Sequence, residues 1–328
     1  MQAGILSQRQ HFTTSLFNNT REKYRTMFTG SRTRLLSWWH ETPLPDVEGV
    51  SACFQTWNHY EDGKWLALSS RNPTLRESPL EGSTHDLTTL NFVTWNVDSP
   101  ARSPSGAPSP SRAPTSAGPR MTALLYAIES QTNPDVVFLQ EVNREALAQL
   151  LDHPWIKRGW YCSDVDGSHF GTQKIMTVTL LSRRLSVHLG NIWRVALPSR
   201  YYRYALCCDI FVSNKTQNNR QRPVRLLNVH LDSMPINPCF RPRQLSIAAK
   251  YLETSGRGIV AGDFNPVMSE DEGIVADNRL VDSWSYLCPQ EAGFTWGFLN
   301  DKPFPPNRMD KVAILNVTPE SMRVLCRP

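Results

Sequence analysis

Four short apolar runs in this chain each end in side chains able to do chemistry. They are Phe92-Val93-Thr94-Trp95-Asn96-Val97-Asp98, Val136-Val137-Phe138-Leu139-Gln140-Glu141, Leu226-Leu227-Asn228-Val229-His230-Leu231-Asp232-Ser233 and Val260-Ala261-Gly262-Asp263-Phe264-Asn265. A carboxylate at the end of an otherwise apolar run must be solvated, paired or bound to a cation, because burying it alone is expensive. Glu141 is therefore either a surface acid or an oxygen ligand for a hard cation. Magnesium takes one or two carboxylates together with waters and phosphate oxygens. Asn96 and Asp98 alternate with Val97 and share one face of their strand, and Asp263 and Asn265 repeat that spacing. Asp-x-Asn is also ordinary turn chemistry, and a lone histidine such as His230 is more often structural than reactive. The recurrence decides the matter: four such ends in one chain point to a single site built where strands end.

Those ends need elements to hold them. Content of β-branched and aromatic residues reads 136–141, 176–181, 204–212, 224–231 and 258–261 as strands, with short ones over 294–298 and 309–315. Helical spacing covers 121–130, 143–151 and 244–252. Phe54, Trp57, Trp65 and Leu66 surround the turn-like Glu61-Asp62-Gly63, which suggests a hairpin packed on the main body. Many strands with interspersed helices give an α+β fold, a two-sheet β-sandwich flanked by helices. No Gly-x-Gly-x-x-Gly follows a strand, which disfavours a dinucleotide fold. Residues 1–45 read as a basic, disordered tail and 46–87 as an accessory hairpin and linker. Residues 88–328 read as the main domain. Its Ser/Pro/Ala/Arg insert at 99–120 cannot bury enough apolar area to order itself.

At 40% hydrophobic and 20% charged, the 328 residues have the make-up of a soluble globular protein. A net charge of +5 suits a polyanionic partner without requiring one. No apolar stretch approaches the ~18 residues of a membrane span, and the N-terminus lacks a signal-peptide core. The 7 cysteines are scattered without Cys-x-x-Cys spacing, which fits the reduced nucleus or cytoplasm better than a disulfide scaffold. The cluster Arg21, Lys23, Arg25, Arg32 and Arg34 has presequence composition, so the mitochondrion is the other location.

In this order, Thr94–Asp98, Gln140-Glu141-Val142, His230–Ser233, Gly262–Asn265 and Arg308–Val312 resemble the endonuclease/exonuclease/phosphatase superfamily. The resemblance covers 88–325. It implies a four-layer, DNase I-like fold and a metal-dependent phosphodiesterase using Mg²⁺, with Mn²⁺ as a substitute. It makes Glu141 the metal ligand and Asp263 the group that orients or deprotonates water. Asn96, Asn265 and His230 would hold the phosphoryl oxygens, with Asp98 close by, and Asp310 would orient a catalytic histidine. His230–Ser233, Thr94–Asp98 and Phe294-Thr295-Trp296 are similar to the tyrosyl-DNA phosphodiesterase 2 branch. There the equivalent of Ser233 lies near the scissile phosphate, and that of Trp296 lines the DNA groove. The implied substrates are DNA ends carrying 5′-phosphotyrosyl bonds, in DNA repair. RNA or phospholipid esters are the enzymatic alternative, and a catalytically impaired nucleic-acid-binding relative is the other. The chain departs from the pattern twice. The family closes with Ser-Asp-His on its last strand, whereas no histidine follows His230 here. The expectation is a sandwich lacking its last strand, read as a truncated sequence, a degenerate relative, or a rescue by His169 or His188. Secondly, Pro266 and Val267 follow Asn265 where that branch carries an arginine two residues on.

Overall fold

The computed structural model describes residues 52–68, 87–97, 117–171, 173–212, 223–297 and 305–325. All belong to one compact unit spanning Val47–Pro328. The basic tail and most of the insert lie outside the described residues. Ala117 to Arg120, assigned to the insert on composition, instead begin a helix.

Thirteen strands are described. They are β1 (Cys53–Gln55), β2 (Asn58–Glu61), β3 (Lys64–Ala67), β4 (Phe92–Asn96), β5 (Val136–Val142), β6 (Trp160–Cys162) and β7 (Met176–Ser182), then β8 (Leu189–Ala196), β9 (Tyr204–Ile210), β10 (Val224–His230), β11 (Gly258–Asp263), β12 (Val281–Asp282) and β13 (Asp310–Leu315). The helices are α1 (Ala117–Gln131), α2 (Arg144–Asp152), α3 (Pro154–Gly159), α4 (Arg241–Ser255), α5 (Ile274–Asp277) and α6 (Ser283–Leu287). None of the described helices is long and apolar enough to cross a membrane.

One sheet has seven strands in the order β1-β8-β9-β10-β11-β13-β12, the other six in the order β3-β2-β6-β7-β5-β4. β5 shows how they stack. Val136 and Phe138 join Leu206, Cys208, Leu226 and Ala261 between the sheets. Val137 and Leu139 face the other way, onto Leu124, Leu125 and Ile128 of α1 and Leu147 and Leu150 of α2. α4 packs against β10 and β11 of the seven-stranded sheet. The result is a four-layer sandwich, and β5, buried on both faces, is apolar almost throughout.

Two parallel pairings place the site. β4 runs parallel to β5 and β10 parallel to β11, so Asn96, Glu141, His230 and Asp263 all stand at the C-terminal ends of their strands. β13 is antiparallel to β11 and sets Asp310 opposite Asp263. Beneath them, Gln140 Nε2 donates to Thr94 Oγ1 at 3.1 Å and across the sandwich to Asn228 Oδ1 at 2.9 Å. Asn228 Nδ2 in turn donates to Val178 O at 3.0 Å. Gly262 is held at φ 138, where a Cβ would come 1.9 Å from Val229 O. Only glycine lets β11 approach β10 this closely.

Over the described residues 294–297 the expected strand does not form. Trp296 makes an isolated bridge to Asn307 instead, in a stretch broken by Gly293 and Gly297, both at positive φ.

Candidate active site

β5 carries one residue too many for its partner. Leu139 faces Val178 and Val142 faces Met176, three steps against two. The surplus is taken up at Glu141, a non-glycine residue at φ 56. Such a conformation costs about 1–3 kcal/mol and persists only where the surroundings enforce it. The bulge resets the strand's alternation, so that Val142 packs with Val137 and Leu139 on the helix side. It also turns the Glu141 carboxylate off the strand and into the space between the sheets' ends, a common use of a bulge.

There Glu141 meets its neighbours. Asn96 Nδ2 donates to Glu141 Oε1 at 3.2 Å and to Asp263 Oδ2 at 2.7 Å. His230 Nε2 lies 3.8 Å from each of those oxygens. Asp263 Oδ1 accepts the Asn265 N–H at 2.9 Å, which leaves Oδ2 facing the cluster. Burial pushes the Asp263 carboxyl above its ordinary range, against the Asn96 and Asn265 hydrogen bonds and the Arg203 and Arg241 cations.

Arg203, just before β9, supplies the cation at the site. Its Nη2 donates to His230 Nε2 and to Ser233 Oγ, each at 3.1 Å. An arginine is always a donor, so His230 Nε2 must be the acceptor and Nδ1 carries the proton. Burial, followed by the Arg203 charge, holds His230 well below its usual range, and it stays neutral. Asn265 sits at φ 47 and turns its amide away from the carboxylates, donating to Leu231 O at 3.1 Å. Asp232, between His230 and Ser233, serves the scaffold: it accepts from Gln244 Nε2 at 2.9 Å and Arg200 N at 3.0 Å.

The remaining expected residues divide. Asp310 stands at the start of β13 with its N–H donating to Thr295 Oγ1 at 3.0 Å. Trp296 is half-buried beside the Asp263 turn, tied there by Asn307, whose Nδ2 donates to Pro266 O at 2.6 Å. Asp98 lies outside the described residues. Sequence reasoning missed Arg203 altogether. Its only signal is a basic residue in Tyr201-Tyr202-Arg203-Tyr204 that opens a strand. The buried strand cysteines do not compete as nucleophiles: burial pushes the Cys162 thiol up to about 12 and raises Cys207 and Cys208 as well.

Glu141, His230 and Asp263 each present one ligand atom, all within 4.8 Å of one another. A magnesium–oxygen bond is about 2.1 Å, so two oxygens on one ion lie at most about 4.2 Å apart. A contraction of at most about 0.6 Å would bring the Glu141 and Asp263 oxygens onto an ion. With the His230 lone pair engaged by Arg203, the donors left over are carboxylate oxygens, the hard set that magnesium or manganese prefers. Two carboxylates meeting in a half-buried space repel unless a cation lies between them. The residues present fit a divalent metal.

A model of the Endonuclease/Exonuclease/phosphatase family matches residues 93–312, well over half of the chain. No curated protein sequence matches it. Among solved structures, the chain is similar to TDP2 from C. elegans at 20% identity and a TM-score of 0.52, covering 69% of this chain and 64% of that one. It is likewise similar to D. rerio TDP2 complexed with single strand DNA product, at 21% identity and a TM-score of 0.52, over 70% of this chain and 86% of that one. The chain thus spans less than two thirds of the C. elegans protein. At such identities the likeness speaks for the fold.

Proposed function

The chain belongs to the endonuclease/exonuclease/phosphatase family, and from that premise we propose that it is a Mg²⁺-dependent phosphodiesterase acting on DNA ends. The substrates proposed are 5′-phosphotyrosyl esters of the kind met in DNA repair. One observation carries the reading. Asn96, Glu141, Arg203, His230 and Asp263, from four strands and the loop before β9, converge on one half-buried space. A fold held only for its stability has no reason to gather two acids, an amide and a guanidinium there.

Glu141 would hold the metal, which when bound supplies positive charge against the phosphate and its departing oxygen. Asp263 takes the proton of the attacking water. Its burial makes it a better proton acceptor than an exposed carboxylate. The Asn265 N–H fixes one Asp263 oxygen and leaves the other toward the water. Asn96 spans both carboxylates and keeps them at working separation. Arg203 sets its positive charge toward the phosphoryl oxygens, while neutral His230 and Ser233 hold the guanidinium in place. Ser233 accepts from Arg203, so its own hydroxyl proton is free to point at phosphate. Asp310 lies opposite Asp263 across the β11–β13 pair, where the family resemblance gives it the role of orienting a histidine. Trp296 offers an indole face on which a base can stack. The likeness to a TDP2 crystallised with single strand DNA product supports DNA over other polyanions.

The test is a substrate panel with and without Mg²⁺: a 5′-phosphotyrosyl oligonucleotide, an RNA tail and a phospholipid headgroup. Preference for the tyrosyl ester supports the assignment. Faster turnover of another ester overturns the substrate, and no turnover of any ester overturns the enzymatic reading.

A further inference from the structure

We propose that Asp164 and His169, in the loop at the carboxylate end of the sandwich, form an acid–base pair that delivers a proton to the leaving-group oxygen. The proposal rests on the phosphodiesterase reading above. The loop between β6 and β7 leaves Cys162 and re-enters at Met176, and Met176 lies opposite Val142, one residue past Glu141. The loop therefore hangs at the end of the sandwich where the carboxylates converge.

Its geometry is that of a supported imidazole. Asp164 is fully buried, and its Oδ2 lies 2.6 Å from His169 Nδ1, while the His169 side chain is 29% exposed. Asp164 Oδ1 accepts the Gly167 N–H at 2.8 Å, with Gly167 at φ 69, so the loop's own backbone locks the carboxylate. The buried Arg194 guanidinium lies 3.7 Å from Asp164 Oδ2 and stacks 4.5 Å over the Tyr204 ring. Tyr204 follows Arg203 directly, and Gln173 Nε2 donates to Tyr202 O at 2.7 Å, which ties this loop to the Arg203 segment. The hydrogen bond to Asp164 claims Nδ1–H, so Nε2 is the nitrogen turned outward. Gly167 holds Asp164 Oδ1, and His169 is the hydrogen-bond partner of Oδ2.

The step balances as follows. Water adds to phosphorus and gives its proton to Asp263. The bond from phosphorus to the leaving oxygen breaks, its electron pair goes to that oxygen, and His169 Nε2–H protonates it. Asp164 keeps its 2.6 Å hydrogen bond to Nδ1 and holds the ring in place during the transfer. The products are a phosphate monoester and a phenol or alcohol, and solvent returns the proton to His169.

A general acid matters most when the leaving group is poor. Thymidine 5′-aryl phosphates running from p-nitrophenyl to phenyl and tyrosyl esters read this directly. His169→Asn is expected to lose about 10²-fold in kcat on the phenyl and tyrosyl esters and under about threefold on the p-nitrophenyl ester, at unchanged KM. Asp164→Asn should show the same slope with smaller losses. Equal losses along the series would overturn the proposal, since a merely structural histidine cannot sense the leaving group. If the wild-type protein hydrolyses none of the esters, the proposed function fails first. The pair is then judged by the His169 Nε2 nitrogen resonance on adding a 5′-phosphotyrosyl oligonucleotide. A shift supports contact, and an unmoved signal overturns it.

Discussion

Arg203 Nη2 reaches His230 Nε2 and Ser233 Oγ at 3.1 Å each, and that fork sets the charge balance among the carboxylates. A lysine there would keep the charge but lose the planar fork. Arg203→Lys is expected to lower kcat/KM by about 10²-fold in steady-state assays, on the scale of losing one oriented donor. A loss of less than about twofold would show that the guanidinium plays no part in stabilising the phosphate charge. At this scale the sequence was readable where chemistry coincided with a strand end, as at Asn96, Glu141, His230 and Asp263. It was unreadable at Arg203, whose partners His230 and Ser233 lie 27 and 30 residues away. Nothing local distinguishes that arginine from a solvated one. Nor does Asn265 announce that its amide turns to Leu231 O.

Among elements, the pairing of β10 with β11 is the joint on which the site depends. At Gly262 a side chain would collide with Val229 O while holding φ at 138. Gly262→Ala should therefore cost at least about 3 kcal/mol in urea unfolding, or prevent folding. A loss under about 1 kcal/mol would mean the strands can part without penalty. The buried Gln140–Asn228 bond joins the two sheets under the cluster. Asn228→Ala leaves the Gln140 amide with Thr94 alone and is expected to cost about 1–3 kcal/mol, read as a lower urea midpoint at unchanged slope. Runs of apolar, aromatic and β-branched residues made β5, β7, β9 and β10 legible from sequence. β1, β6 and β12, at two or three residues, carry too little pattern, and β8 hides behind Arg194 and Trp193. The bulge at Glu141 arises from β7's register, and β7 lies a whole helical pair further along the chain.

For the whole molecule, acid sensitivity gathers where α6 meets β13. Burial is the largest influence on Asp282 and pushes its pKa up. The two-pronged bond from Arg308, at 2.7 and 2.8 Å, and the Lys311 charge outweigh it and hold Asp282 below its ordinary 3.8. A carboxyl lowered on folding contributes full stability above its unfolded value and loses it as pH falls through the folded one. The stability difference between wild type and Asp282→Asn should therefore be constant above about pH 5 and shrink below about pH 4. A difference that persisted unchanged to pH 2 would rule out the ion pair as its source. The α+β sandwich was legible because core strands and amphipathic helices alternate along the chain. The order of strands within each sheet was not, because long-range pairing leaves no local mark.

Cleavage of a 5′-phosphotyrosyl oligonucleotide by wild type and Glu141→Ala, each with Mg²⁺ and with chelator, tests the central claim most directly. Circular dichroism and melting temperature would confirm the fold of both proteins. The wild-type protein should cleave only with Mg²⁺, and the variant, equally folded, should be slower by at least about 10³-fold. Undiminished Mg²⁺-dependent cleavage by Glu141→Ala would contradict the assignment of this cluster as the metal-dependent active site.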